Sequence, residues 1–354
     1  MPVSAHFSGR SLVRWGIIGC GDVTEVKSGP GFRKADGSAL VAVMRRNGAL
    51  AADYARRHGV ARSYDNAAEL IADPEVDAVY IATPPDSHAD YALQVAAAGK
   101  PAYVEKPMAR HTPECERMVR AFAAAELPLF VAYYRRRLPR ILLVEEFLRQ
   151  GALGRVTGIS YRQAAPFHRG AAIWRVDATV AGAGHFLDVG SHTLDVLDYL
   201  FGPLGDVAGQ AANLGSSYDV EDTVALSFRT ASGVPGAASW DFASAVAHDA
   251  VTIAGTEAQL IFSVFGNDAI RLESADGVKT FERPNPPHVA QPLIQSIVDD
   301  LLGRGVCPST GVSACRTSRV MDAALSAYYG GREHAFWLDP TRWPGRRVAA
   351  SAPA

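Results

Sequence analysis

Two short segments of the sequence place ionisable side chains at spacings that suit proton chemistry. "YVEKP", residues 103–107, sets Glu105 and Lys106 directly after an apolar run, and "GAGHFLDVGSHTLD", residues 182–195, sets Asp188 and His192 four residues apart. A positioned lysine can donate a hydrogen bond to developing negative charge, and a histidine exchanges protons near neutral pH. These residues are therefore candidates for general acid–base catalysis.

Lys106 is expected at the carboxyl end of the predicted strand "AYVE". Pro107 disfavours a helical conformation for the residue before it, so Lys106 is predicted to be extended with its amine towards a ligand. Glu105 is expected to orient or balance the lysine. The alternative is an exposed Lys–Glu pair at a strand end, which would contribute little.

The second segment predicts a helix on which Asp188, His192 and Asp195 project from one face. A histidine with nearby carboxylates suits acid–base work because a carboxylate can fix the orientation of its ring. Two alternatives remain at this point. His185, Asp188 and His192 could form a metal-binding face, or His192 could be an ordinary histidine near a helix start.

A glycine-rich turn, "GIIGCGDVT" at residues 16–24, follows a predicted strand and opens a predicted helix. That context is required of a dinucleotide-binding turn, in which glycines let backbone amides approach a pyrophosphate. A tight turn without a ligand is the alternative. Gly29-Pro30-Gly31 predicts that the helix is short or interrupted. The predicted contacts to the pyrophosphate are Gly19, Gly21, Asp22, Val23 and Thr24, with Thr24 in place of the third small residue.

The residues at the end of the second predicted strand indicate which nicotinamide cofactor the chain binds. "MRRN" carries Arg45 and Arg46 about 20 residues after the glycine turn, where an NAD-binding chain usually has a carboxylate. Because guanidinium groups suit a 2'-phosphate, NADP(H) is the predicted cofactor, with NAD(H) as the alternative. Two exposed arginines without a ligand would give the same pattern. Thr83, Pro84 and His88 follow another buried strand and are predicted on the cofactor side; His88 equally suits the start of the next helix.

Hydrophobic periodicity predicts the elements that position these residues. From Leu12 to about Ala132, buried strands alternate with helices, which is typical of a doubly wound parallel sheet. After about Arg140 a helix at Phe186–Phe201 precedes alternating runs that predict an antiparallel sheet, and helices near Gln291–Leu302 and Ser313–Tyr329 close the chain. The predicted strands read "VRWGIIG", "LVAVM", "DAVYIA", "AYVE", "LPLFVAY", "DTVALSFRT", "PGAASWDFAS", "AVTIAG", "AQLIFSV", "AIRLES" and "VKTFE".

Composition limits the class of protein. The 354 residues are 48% hydrophobic with a formal net charge of -2, so two domains with ordinary cores are expected. The balance of charge argues against nucleic acid or an anionic membrane as the main partner and favours a small molecule. The four cysteines form no C-x-x-C pair, and no apolar run approaches the roughly 20 residues of a membrane span. A reduced, cytoplasmic protein without a metal site is expected.

"GIIGCG", "TPPDSH", "YVEKP" and "GAGHFLDVGSHTLD", in this order, resemble the motifs of the Gfo/Idh/MocA family of oxidoreductases. The resemblance covers nearly the whole chain. It implies an α/β fold: a Rossmann domain at residues 1–134, then an α+β domain at residues 135–354 with an open, mostly antiparallel sheet. That sheet commonly packs against a partner subunit, so a homodimer or homotetramer is expected.

The resemblance also implies that Lys106 is the catalytic lysine and that Asp188 and His192 form the family's D-x-x-x-H pair. Ala183 replaces the second family glycine.

The same resemblance suggests further contacts. "AIWRVD" is similar to the Trp-Arg element of NADP-binding members, so Trp174 and Arg175 are expected at the cofactor, together with Glu105. "AYYRRRLPR" occupies the place of a family segment often written Asn-x-Arg or His-x-Arg. Tyr134, Arg135 and His168 are the expected contacts to substrate.

The predicted activity is reversible hydride transfer between a nicotinamide and the hydroxyl or carbonyl carbon of a sugar, cyclitol or related polar alcohol. His192 would exchange the hydroxyl proton, Lys106 would donate a hydrogen bond to the oxygen, and Asp188 would hold the lysine or the substrate. Two alternatives are an NAD-dependent glycoside-cleaving enzyme of the same fold and a non-catalytic nucleotide sensor.

Overall fold

The computed structural model describes residues 6–166, 173–332 and 335–346. The chain divides into two compact units, one comprising Met1–Ile141 and Asn285–Cys315, the other Leu142–Pro284 and Arg316–Ala354. Among the helices of the described ranges, none is long and apolar enough to cross a membrane.

The first unit contains a six-stranded parallel sheet in the order β3-β2-β1-β4-β5-β6. Alternate residues of β1 and β4 enter separate apolar clusters on the two faces: Ile17 and Tyr80 on one, Ile18 and Ile81 on the other. Both faces are therefore covered, as the continuous apolar runs predict. The strands are β1 Val13–Ile18, β2 Ser38–Met44, β3 Arg62–Tyr64, β4 Ala78–Ile81, β5 Ala102–Val104 and β6 Leu129–Val131.

The first helical segment is interrupted where glycine and proline predict it. Gly29 and Pro30 divide the first helical segment into two short helices, as expected, and Pro113 lies in the first turn of its helix. The α-helices of the described residues are α1 Asp22–Val26, α2 Gly29–Lys34, α3 Gly48–His58, α4 Ala67–Ala72, α5 His88–Ala97, α6 Thr112–Ala124, α7 Pro139–Arg149, α8 Ala178–Ala181, α9 Ser191–Phe201, α10 Gln291–Leu301 and α11 Gly311–Tyr329.

The second unit contains an eight-stranded sheet in the order β14-β13-β12-β11-β7-β10-β9-β8. Only β7 and β10 pair in parallel; the other neighbours are antiparallel, so the predicted mostly antiparallel sheet is confirmed. The strands are β7 Val156–Pro166, β8 Gly205–Ala212, β9 Thr223–Arg229, β10 Pro235–Ser244, β11 His248–Gly255, β12 Ala258–Phe262, β13 Ile270–Ser274 and β14 Gly277–Phe281.

The division into units differs from the predicted boundary between residues 134 and 135. Residues 135–141 and Asn285–Cys315 belong to the first unit, because α10 buries its apolar face there. Leu293, Ile294 and Ile297 join the cluster that contains Trp15 of β1 and Phe32 of α2. The periodicity of a helix predicts that it has a buried face but does not tell which core receives that face.

Candidate active site

The glycine turn lies at the carboxyl end of β1, where the strand order of the first sheet reverses between β1 and β4. Ligands of doubly wound sheets bind at this reversal. Gly19 has a φ of +90°, and a Cβ there would lie 2.8 Å from the Thr83 Cγ2 atom and 3.0 Å from the Ala82 carbonyl oxygen. Glycine is therefore required at residue 19, and the turn packs directly against the end of β4.

Gly21 leaves open space at the start of α1. A Cβ at this residue would approach only the Gly19 carbonyl oxygen, at 3.9 Å. The amides of Asp22 and Val23 donate to no residue that the structure describes. The open space at Gly21 and the amides of Asp22 and Val23 suit the binding of a pyrophosphate, so these residues fit a dinucleotide.

Thr24, the fifth predicted cofactor contact of the glycine turn, has its side chain inside the turn. Its side chain is fully buried; the hydroxyl accepts from the Gly21 amide at 3.0 Å and donates to the Gly21 carbonyl at 2.8 Å. The hydroxyl thus closes the turn internally, and a contact between Thr24 and the cofactor stays a prediction.

Arg45 and Arg46 follow β2 with both side chains exposed. Among the described residues, neither guanidinium has an ion-pair partner. The end of β2 therefore offers positive charge to an anionic group.

On α1, by contrast, the Glu25 carboxylate is already paired. It accepts from Arg57 at 2.6 and 3.0 Å and lies 2.7 Å from the His58 ring nitrogen. The hydrogen bonds from Arg57 outweigh partial burial and lower the pKa of Glu25 to about 2.

The segment after β4 carries Thr83, Pro84 and His88. His88 is fully buried; its Nε2 lies 2.7 Å from the Thr83 carbonyl oxygen and its Nδ1 lies 3.1 Å from that of Pro107. Burial lowers the pKa of His88. His88 therefore ties the segment after β4 to the segment after β5, and its contact to the cofactor stays a prediction. Thr83 and Pro84 remain half-exposed.

Lys106 follows β5, and its peptide bond to Pro107 is cis. The Glu105 carboxylate accepts from the Tyr80 hydroxyl at 2.6 Å and from the Lys106 amide at 3.0 Å. Tyr80 is fully buried on β4, and burial next to Glu105 raises its pKa well above the usual range, so the phenol stays a donor. Glu105 therefore fixes the backbone that carries the lysine. Sequence reasoning missed Tyr80 because a tyrosine in an apolar strand is indistinguishable from core.

The predicted substrate contacts after β6 lie in a 3-10 turn, Tyr134–Arg137. Arg135 is only 6% exposed, and its guanidinium carbon lies 5.3 Å from the centre of the Tyr134 ring. Tyr134 is half-exposed and is the member of this pair that a ligand can reach. His168, the third predicted contact, lies outside the described residues.

In the second unit, the predicted catalytic helix begins with a π-helical turn, Phe186–Gly190, and continues as α9. Such turns change the angular position of side chains and are frequent at functional sites. Asp188 lies in this turn and is half-exposed, whereas His192 is 4% exposed and Asp195 is fully buried. The three side chains thus differ in their exposure, with Asp188 the most accessible of them.

Asp188 has a cationic neighbour. The Arg175 Nε atom donates to an Asp188 carboxylate oxygen at 3.2 Å, and the Arg175 guanidinium lies 4.4 Å from the centre of the Trp174 ring. The structure thus brings Trp174, Arg175 and Asp188 together within the second unit. The Asp188 carboxyl group can also accept a hydrogen bond from a hydroxyl.

His192 packs against an aromatic ring that sequence reasoning did not single out. The imidazole meets Phe265 edge-on, with ring centroids 5.9 Å apart and an interplanar angle of 78°. His185 instead packs on Phe242, at 5.6 Å. No group of three His, Cys, Asp or Glu side chains in the described ranges is placed to hold a metal ion, so the metal interpretation of His185, Asp188 and His192 has no support.

Residues 182–184, just before the π-helical turn, show why alanine is tolerated at residue 183 in place of the second family glycine. Gly182 has a φ of +88°, and a Cβ on Gly184 would lie 2.3 Å from the Glu221 carbonyl oxygen. Ala183 has neither constraint. Both oxygens of the buried Glu221 carboxylate accept from the Gly184 amide, at 3.0 and 3.1 Å, and Arg332 donates to the Gly182 carbonyl at 2.7 Å. The turn is therefore held from both sides of Ala183.

Both units match models of one protein family. Residues 13–133 match the model of the oxidoreductase family with an NAD-binding Rossmann fold, and residues 141–261 match the model of the GFO/IDH/MocA C-terminal domain. An oxidoreductase of Formosa agariphila is 35% identical over 319 residues, which cover 88% of this chain and 98% of that protein. The chain belongs to the Gfo/Idh/MocA family of NAD(P)-dependent oxidoreductases, which confirms the resemblance noted in the sequence.

Named relatives and solved structures agree with this assignment. The levoglucosan dehydrogenase of Pseudarthrobacter phenanthrenivorans is 29% identical over 66% of this chain and 67% of that protein, and the 1,5-anhydro-D-fructose reductase of Ensifer adhaerens is 30% identical over 70% and 75%. The structure of a levoglucosan dehydrogenase with NADH and levoglucosan superposes with a TM-score of 0.80 at 23% identity, covering 89% of this chain and 96% of that one. The superposition confirms the fold.

The Glu25–Arg57 pair predicts an acid-dependent contribution to stability. Because the folded-state pKa of Glu25 lies near 2, below the ordinary 4.5, the stabilisation is present above pH 4.5 and is lost as the pH falls towards 2. Glu25→Gln should therefore lower the melting temperature at pH 7, and its difference from the native chain should shrink below pH 4.5. Thermal unfolding between pH 7 and 3 measures this, with exposed Glu69→Gln as the control. A difference independent of pH would contradict the assignment.

Proposed function

We propose that this oxidoreductase prefers NADP(H) and acts reversibly on the hydroxyl or carbonyl carbon of a sugar, a cyclitol or a related polar alcohol. The observation that carries the proposal is the fixed position of Lys106 at the carboxyl edge of the first sheet, the same edge that holds the glycine turn. Relatives named for levoglucosan and 1,5-anhydro-D-fructose support a sugar-like substrate.

Each polar group has a separate task in this proposal. When bound, the nicotinamide supplies or accepts the hydride. Lys106 donates a hydrogen bond that stabilises negative charge on the substrate oxygen, and His192 exchanges the hydroxyl proton. Asp188, which accepts a hydrogen bond from Arg175, also accepts one from a substrate hydroxyl. Tyr134, Arg135 and His168 are proposed as substrate contacts. Trp174 and Arg175 are proposed as cofactor contacts.

The preference for NADP(H) rests on the two guanidiniums after β2, which have no ion-pair partner in the part of the chain that the structure describes. A charge-assisted hydrogen bond to phosphate contributes about 1.5–3 kcal/mol, or roughly 10- to 100-fold in affinity. Both arginines are exposed, so the entropy lost on ordering their side chains and the screening by solvent reduce this free energy. We therefore expect each arginine to contribute about 10-fold in affinity, the lower end of the range.

Replacing Arg45 and Arg46 together by Ala should therefore weaken NADPH binding by about 30-fold or more and change NADH binding by less than about threefold. Fluorescence titration with each nucleotide measures both affinities. Arg56→Ala is the matched control, because Arg56 is an exposed arginine of the same unit whose partner is Asp53. Tighter binding of NADH than NADPH by the native chain, or equal losses for both nucleotides, would contradict the preference.

Lys106→Ala should lower kcat by about 100- to 10,000-fold, since it removes the donor to the developing alkoxide. The dissociation constant for NADPH should change by less than about threefold. Stopped-flow and steady-state assays over a panel of sugars and cyclitols measure the two effects, with exposed Lys27→Ala as the control. A Lys106→Ala enzyme with native kcat would refute the assigned role.

We also propose that the outer face of the second sheet packs against a second copy of the chain, giving a homodimer or homotetramer. Ala225, Ser227 and Ala237 point outwards on β9 and β10 and are exposed, while their neighbours Leu226 and Ala238 are buried. A flat face of small side chains across several strands permits close approach of an identical face. All four cysteines are buried thiols rather than disulfides, which supports the reducing environment of the cytoplasm as the location.

Ala237→Arg should disrupt this assembly, because a guanidinium in the centre of a self-complementary face meets its own copy. Light scattering after size exclusion should show a native dimer or tetramer and a smaller species for the variant. Ala68→Arg, at an exposed position of α4, is the control. A monomeric native protein would overturn the proposal.

A further inference from the structure

The carboxylate of Glu221, just before β9, joins two distant parts of the second unit. Glu221 is fully buried, and both of its carboxylate oxygens accept from the Gly184 amide, at 3.0 and 3.1 Å. One of these oxygens also accepts from the hydroxyl of Tyr329, the last residue of α11. Burial next to Glu221 raises the pKa of Tyr329 well above its usual range, so the phenol stays a donor. The end of α11 is thus connected through one carboxylate to the residues that precede the π-helical turn.

Gly184 extends this connection into the π-helical turn itself. Its carbonyl accepts from the amide of Leu187, the residue directly before Asp188, at 3.2 Å. The side chains of Phe186 and Leu187 are buried. Because a close-packed interior leaves little room for local adjustment, a displacement of Gly184 must also displace the backbone that carries Asp188.

The geometry at Gly184 requires a carboxylate as its partner. A Cβ on Gly184 would lie 2.3 Å from the Glu221 carbonyl oxygen and 3.1 Å from two atoms of the Glu221 carboxyl group, so both parts of Glu221 lie against this glycine. Both carboxylate oxygens face the same N–H group, and both are acceptors. In a glutamine one of them is replaced by an NH2 group, so one of the two positions would set a donor against the Gly184 N–H. Glutamine thus has nearly the shape of Glu221 but cannot reproduce its hydrogen bonds.

We propose that Glu221 is a positioning residue for the reaction: with Tyr329, it fixes where the π-helical turn places Asp188 and His192. This inference rests on the proposed function. Groups that exchange protons or hydrogen bonds with a substrate act over a narrow range of distances, and a displacement of about 1 Å can lower a rate by about 100-fold. Such a displacement weakens stabilisation of the transition state more than binding of the ground state, so kcat falls while KM changes little.

Glu221→Gln should lower kcat for the sugar or cyclitol that the native chain turns over fastest by about 10- to 100-fold, and should change KM for that substrate and for NADPH by less than about threefold. Tyr329→Phe leaves the hydrogen bonds between the carboxylate and Gly184 in place, so it should lower kcat by a smaller factor. Tyr328→Phe is the matched control: Tyr328 is buried on the same helix, and its hydroxyl donates to the Asp219 carbonyl at 2.6 Å. The control also loses a buried hydroxyl, so it shows what a loss of stability alone does to kcat.

Amide hydrogen exchange tests the placement of the turn without any turnover. Exchange in residues 184–190 should be at least about tenfold faster in Glu221→Gln than in the native chain or in Tyr328→Phe, because the Gly184 amide loses its acceptors. A native kcat in Glu221→Gln, an equal loss of kcat in the control, a change in KM alone, or unchanged exchange would overturn the inference.

If the native chain turns over no member of the panel, the proposed function fails on its own, and hydrogen exchange decides the inference. Faster exchange in Glu221→Gln that is confined to residues 184–190 then supports it, whereas exchange that is unchanged or faster throughout the second unit overturns it.

Discussion

The parallel pairing of β1 with β4 is the constraint on which the cofactor side of the molecule depends. Because β2 lies on the other side of β1, the segments after β1 and β4 diverge and leave the carboxyl edge of the sheet open between them. The segments after β1, β4 and β5 are then tied to one another: Gly19 packs against Thr83, and His88 bridges Thr83 and Pro107. The segment that follows Lys106 is therefore part of the same network as the glycine turn.

Carboxylates that accept hydrogen bonds from backbone amides recur next to the candidate site residues. Glu105 accepts from the amide of Lys106, Glu221 from that of Gly184 before the π-helical turn, and Asp249 from the amides of residues 264–266 after β12. Such charge-assisted bonds are stronger than neutral ones and orient a backbone without occupying the functional side chain. The same kind of interaction thus fixes the backbone beside Lys106, before the π-helical turn and after β12.

The first unit could be predicted closely from sequence because its signals are local. Apolar runs gave five of its strands, and glycine and proline spacing gave the interrupted first helix. β7 and β8 were not predicted: Gly158 interrupts the alternation of β7, and β8 consists mostly of small residues with weak strand preference. At the site, motifs indicated Lys106, Asp188 and His192, but the burial of His88 and the contacts of Tyr80, Glu221 and Phe265 join residues distant in sequence. No spacing within one segment could reveal them.

Hydride transfer from the nicotinamide to carbon is the central claim, and isotope transfer tests it most directly. The enzyme would be incubated with NADPH carrying deuterium at nicotinamide C4, in each stereochemical form, together with a panel of keto sugars and inososes. The account predicts that one of the two forms delivers deuterium to the new carbinol carbon of the product, as seen by mass spectrometry and NMR. Products without deuterium, or glycoside cleavage with no net change in the nucleotide, would contradict it and favour the glycoside-cleaving alternative.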